Sequence, residues 1–124
     1  MVHTFDFGPA ISDQDIEFRL WAPLHDEVML NIESATPAAM ERDDEGWHRL
    51  RRRKTDAAIR YSFILPDGLE VPDPASRFQP RDVHGPSEVV DLSMFQWKAA
   101  DWDGRPWEEM IIYELHIGTF SEEG

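Results

Sequence analysis

Cysteine is absent from the 124 residues. That excludes a disulfide framework and a thiolate metal site, and it fits a cytoplasmic location. Basic residues are few: 12 Lys and Arg stand against 25 Asp and Glu, for a formal net charge of -13. Such a chain repels nucleic acid and anionic membranes, so neither is expected as a partner. Solubility is the plain consequence of the acidity. No run of about 18 apolar residues is present to span a bilayer. The opening, MVHTFDFGPAISDQDIEFRL, has neither a basic n-region nor an apolar h-region, so it does not read as a signal peptide. Helical periodicity is missing before residue 93. GxSxG, HExxH, P-loop and Rossmann glycine patterns are missing throughout, and no cofactor is expected.

What is present suits one folded domain. The apolar fraction is 41%, enough for a core. Its dominant arrangement is alternation with period two, broken by turn residues at short intervals. In IEFRLWA, Ile16, Phe18, Leu20 and Ala22 share one face, and Glu17, Arg19 and Trp21 the other. In EVMLNI, Val28, Leu30 and Ile32 share a face. TPAAMERDDEGWHRLRR reads as a hairpin around DDEG, with Gly46 free to take a positive φ. IRYSFIL places Ile59, Tyr61, Phe63 and Leu65 together, and PDG turns the chain into a short LEV. Short strands so spaced predict an all-β, antiparallel sandwich.

From Pro72 the character changes. PDPASRFQPRDVHGPSEVVDL holds Pro72, Pro74, Pro80 and Pro86, and reads as an extended wrap ending in a short strand, EVVDL. FQWKAADWDGRPWEEM then brings Trp97, Trp102 and Trp107, apolar area that predicts docking onto a neighbouring surface. Last comes MIIYELHIGTF, a nearly continuous apolar run of the type buried on both faces in a parallel sheet. Left bare, residues 110–120 are expected to support self-association, because an unpaired strand edge is a template for another chain.

Few side chains make a constellation. Glu114 and His116, two apart on one strand face, are too few for a catalytic zinc, and His48 and His84 add no spacing, so no metal is expected. Asp43, Asp44 and Glu45 read as a solvated hairpin tip, and Arg51, Arg52, Arg53 and Lys54 as a solvated strand end. No carboxylate pair stands out for glycoside hydrolysis, so no catalytic residue is assigned. Trp21 is more informative. Alternation puts it outside, where it can stack on a sugar ring or bury itself against another domain. Trp47, on a face with Arg49 and Arg51, is a second candidate for the same substrate or domain contact.

Together the segments resemble a known family. FRLWAPLHDEVML is similar to the opening of the N-terminal domain of α-amylase-superfamily enzymes that act on branched or modified α-glucans. PDPASRFQP, VHGPSEVVD and IIYELHIGTFSEEG most resemble the maltooligosyltrehalose trehalohydrolases. The resemblance implies an enzyme that releases trehalose from maltooligosyl trehalose by cutting the adjacent α-1,4 bond, with a (β/α)8 barrel as its catalytic module. It also implies three parts: an immunoglobulin-like accessory sandwich over 1–92, a Trp-rich connector over 93–107, and the barrel's first strand over 108–124. A barrel needs about 250 residues, so the remaining strands, and the three catalytic carboxylates, are expected beyond Gly124. The partners implied are that barrel and, through it, the α-1,4-glucan or maltooligosyl trehalose. The alternative is an autonomous α-glucan-binding module of a branching or debranching enzyme.

Overall fold

A computed structural model describes residues 7–96, 98, 99 and 101–122. The expectations for Trp97, for residues 1–6 of the opening and for 123–124 lie outside them. The chain divides into two units, Met1–Met94 and Phe95–Gly124.

The first unit is built of antiparallel ladders. Its first sheet contains β1 (Ala10–Ile11), β2 (Asp15–Trp21), β5 (Glu41–Arg42) and β6 (Trp47–Arg53), in the order β1-β2-β6-β5. The second contains β3 (Met29–Ile32), β4 (Ala38–Ala39), β7 (Arg60–Ile64), β8 (Glu70–Val71) and β9 (Ser87–Glu88). There β7 pairs along its length with β3, and also with β8 near Phe63 and with β9 near Tyr61. One strand is thus gripped by the chain before and after the proline-rich wrap.

Alternation decides what each sheet buries. Ile16, Phe18 and Leu20 of β2 are buried while Asp15, Glu17 and Arg19 between them are only half-buried. Val28, Leu30, Met40, Tyr61 and Phe63 complete the core. The Phe18 ring meets Tyr61 edge-on with centroids 4.8 Å apart, so the two sheets share one core. Each large side chain so buried contributes roughly 1.5–3 kcal/mol. The hairpin forms as its sequence predicts: Arg42 pairs with His48 and Glu41 with Arg49, and Gly46 takes φ 85°.

Two polar groups organise the wrap. Asp73 is buried; its carboxylate accepts from the Tyr61 hydroxyl at 2.6 Å and from the Ala75 amide at 2.7 Å. Its own amide donates to the Ser87 hydroxyl at 3.0 Å. Burial chiefly, and then the Asp73 charge, push the Tyr61 phenol far above its usual range. It remains a donor at any pH the fold survives.

One expectation needs correction, and two meet a structure without their partners. The strand expected at EVVDL is Ser87–Glu88, two residues long. Val89 adds one more bond, its amide to the Ile59 carbonyl at 2.9 Å, before the chain turns into a 3-10 turn at Leu92–Met94. The Asp91 carboxylate explains the turn: it accepts from the Ser93 amide and hydroxyl, and from Lys54 at 2.9 Å. Trp102 and Trp107, expected to dock, stand 70% and 71% exposed. Finally, residues 110–116 join no ladder. A 3-10 turn, Trp107–Glu109, precedes them, and Ile117–Phe120 form a single helical turn, α1. Met110 and His116 keep extended backbone angles. The segment between them is assigned to no strand.

Candidate functional site

The two tryptophans singled out by alternation are neighbours. Ladder register sets Trp21, the last residue of β2, directly across from Trp47, the first of β6. Both belong to the outer face of the first sheet. The sequence shows each separately but not their pairing, because β2 and β6 are joined by a long excursion through the other sheet.

Their settings differ. Trp47 is half-buried, its ring 5.3 Å from that of Phe7 and under the Arg49 guanidinium at 5.1 Å. Both contacts cover it, and it offers no free platform. Trp21 is 53% exposed. Its indole N–H donates to the Glu45 carbonyl at 3.0 Å, fixing the ring on the hairpin tip. Beside it lies an apolar-lined depression of about 310 Å³, bounded by Phe7, Gly8, Arg19, Leu20, Trp21 and the 73–75 segment. Phe7 is 56% exposed. Neither Phe7 nor the depression is legible in the sequence, since the loop at Gly8 gives Phe7 no assigned face.

The hairpin tip that carries Trp21 is braced. Gly46 lies so close to Pro23 that a Cβ would meet its Cα at 2.6 Å. Arg42 donates to the Pro23 and His25 carbonyls, and buried His48 turns Nε2 toward the His25 and Ala22 carbonyls at 3.1 and 3.4 Å. Nε2 faces only acceptors, so it is the ring's donor. Asp43 accepts from the Trp47 and Glu45 amides and pairs with Arg49 at 3.3 Å. Its carboxyl is held below the usual range, chiefly by the Trp47 amide.

Beyond the aromatic end, the outer face is a ladder of opposite charges. Arg51 pairs with Glu17 at 2.7 Å and Arg53 with Asp15 at 4.0 Å. Arg19 donates to the Gly8 carbonyl through Nε and Nη2. Four arginines (19, 49, 51, 53) thus sit among four carboxylates (15, 17, 41, 43). The face is neutral, on a chain of net charge -13.

The other candidates disperse. Glu114 and His116 are exposed, and among the described residues no group of three or more His, Asp or Glu side chains is set to hold a metal. Asp44 and Glu45 are exposed at the hairpin tip, and Lys54 bridges to Asp91. Among the described residues no helix is long and apolar enough to cross a membrane.

No family model matches the chain. Individual proteins do. A malto-oligosyltrehalose trehalohydrolase of Saccharolobus solfataricus is 42% identical over 95% of the chain, which spans 21% of that protein. Its Deinococcus radiodurans counterpart is 40% identical over 86% of the chain and 17% of its own length. Among solved structures, a candidate α-amylase of Salmonella typhimurium superposes with a TM-score of 0.78 at 38% identity, over 98% of the chain and 21% of its own. The chain therefore spans about a fifth of the length of the relatives it matches. Over that fifth, it is similar to the malto-oligosyltrehalose trehalohydrolases.

Proposed function

We propose that the chain is the N-terminal accessory domain of a trehalohydrolase-type glycoside hydrolase, an enzyme that frees trehalose from maltooligosyl trehalose by cutting the adjacent α-1,4 bond. The first unit is read as an immunoglobulin-like sandwich that supports a (β/α)8 barrel, 93–107 as the connector, and 108–124 as the barrel's first strand. One observation carries this: 42% identity runs through 95% of the chain yet accounts for only 21% of the relative. The unladdered segment at 110–116 agrees, because a strand from inside a parallel sheet has no partner until that sheet is present. A cytoplasmic setting accompanies this reading.

The chain by itself is then inactive. Retaining hydrolysis needs two carboxyl groups about 5–5.5 Å apart across the scissile bond, and the reading assigns them to later barrel strands. Incubation with maltooligosyl trehalose, with an enzymatic assay for trehalose, gives no product above a buffer blank. Turnover that disappears when an acidic residue of this chain is replaced would sink the proposal.

A second reading, an autonomous α-glucan-binding module, is favoured by the half-exposed Trp21 ring. It requires maltoheptaose to bind with a dissociation constant well below about 1 mM, that is, more tightly than about 4 kcal/mol. It also requires Trp21→Ala to abolish the binding. Titration calorimetry decides between the two.

A further inference from the structure

We propose that the outer face of the first sheet is a protein-docking face, with Trp21 as its anchor, and that its occupant is an apolar side chain from the polypeptide following this domain. The inference rests on the reading of the chain as part of a longer enzyme, and it names the partner of the Trp21 site.

The chemistry of the depression selects the occupant. Sugars are held by an aromatic ring together with polar groups that fix the hydroxyls. Around Trp21 those groups are engaged elsewhere. The indole N–H serves the Glu45 carbonyl, Arg19 donates to the Gly8 carbonyl, and Asp73 is buried and bound to Tyr61 and Ala75. What remains facing the depression is apolar: Phe7, Leu20, Pro74 and the open side of Trp21. Its volume of about 310 Å³ admits one large apolar side chain.

The surroundings select a polypeptide as its source. Trp and Arg are the residues enriched at the energetic centres of protein interfaces, ringed by contacts that exclude water. Here two tryptophans stand beside arginines whose charges are balanced by neighbouring carboxylates. A neutral face on a chain of net charge -13 can approach another protein surface without the repulsion met elsewhere. The relatives supply such a surface, since about four-fifths of their length lies outside the matching stretch.

The test is residue-resolved oxidation of tryptophan by N-bromosuccinimide, read by mass spectrometry. It is run on this chain alone and on the Saccharolobus solfataricus relative whose matching stretch has been replaced by this chain. Trp21 should oxidise in the isolated chain and lose that reactivity in the fused protein. Trp21→Lys should lower the melting temperature of the fused protein by more than that of the isolated chain, which loses only the bond to the Glu45 carbonyl. Equal oxidation of Trp21 in both proteins overturns the proposal. So does protection of the isolated chain by maltoheptaose, which assigns the ring to sugar, or protection that grows with chain concentration, which assigns it to a second copy. If the fused protein does not fold, the footprint is repeated on this chain mixed with the relative lacking its own matching stretch. Protection there supports the docking face, and unchanged oxidation overturns it. Trehalose release by the fused protein is scored separately. A protected Trp21 without release removes the proposed activity but not the docking face.

Discussion

Tyr61 and Asp73 hold the wrap to the core with one short hydrogen bond. Alternation alone places Tyr61 inside, and its buried ring agrees. Its hydroxyl's partner was not legible, because Asp73 lies beyond a turn and a short strand, in a segment readable only as proline-rich. Tyr61→Phe keeps the ring and removes the donor, leaving the Asp73 carboxylate with the Ala75 amide. A buried acceptor stripped of a partner costs roughly 1–3 kcal/mol. A urea titration followed by circular dichroism should show that loss as a lowered midpoint with an unchanged slope. An unchanged midpoint would mean that water replaces the phenol. Gly46 is the opposite case, a residue whose positive φ is legible in the hairpin sequence. Its φ of 85° and its approach to Pro23 leave no room for a Cβ. Gly46→Ala should destabilise by more than about 1 kcal/mol, and a thermal melt measures it. A variant as stable as the parent would show that the hairpin tip can move away from the 22–25 turn.

Elements divide into those that carry their own signal and those that exist only in company. β2, β6 and β7 were legible because side chains alternate across a pleat and one face must be buried. Their neighbours were not, since pairing β2 with β6 depends on contacts distant in sequence. The same distinction explains the end of the chain. MIIYELHIGTF has every local mark of a strand, yet a strand is completed by a ladder, and residues 110–116 have none. Ile111 is left 97% exposed, and Ile112 and Tyr113 are exposed beside it. We expect removal of residues 95–124 to leave the first unit folded, because its core residues all lie between Ile16 and Phe63. Self-association should fall in the shortened chain. Sedimentation velocity across a concentration series, with circular dichroism of both forms, checks both points. Unfolding of the shortened form would place the tail in the stability of the sheets.

The whole molecule responds to acid through its pinned carboxylates. Asp43, Glu70 and Asp91 are all held below their usual range: Asp43 chiefly by the Trp47 amide, Glu70 by the Ser62 hydroxyl, and Asp91, at about 2, by the Ser93 hydroxyl and then Lys54. A carboxyl that ionises more readily when folded stabilises the fold above its unfolded pKa of about 4. That stability is lost as pH falls through the folded value, here toward 2. Urea midpoints should therefore be level above pH 5 and drop steeply between about 4 and 2. Asp91→Asn should flatten part of the drop while costing less than about 1 kcal/mol at pH 7, since the Lys54 pair is partly solvated.

The balanced charges on the outer face of the first sheet have a colloidal consequence. With four arginines offset there by four carboxylates, the net charge of -13 resides on the rest of the surface. In dilute buffer two copies then repel except when these faces meet, so the osmotic second virial coefficient should be positive. At about 1 M salt the screening length shrinks to about 3 Å, and orientation ceases to matter. Static light scattering should show the coefficient turning negative as the bare side chains of Met110, Ile111, Ile112, Tyr113, Leu115 and Phe120 come to govern encounters. In the form lacking 95–124 it should fall only toward zero.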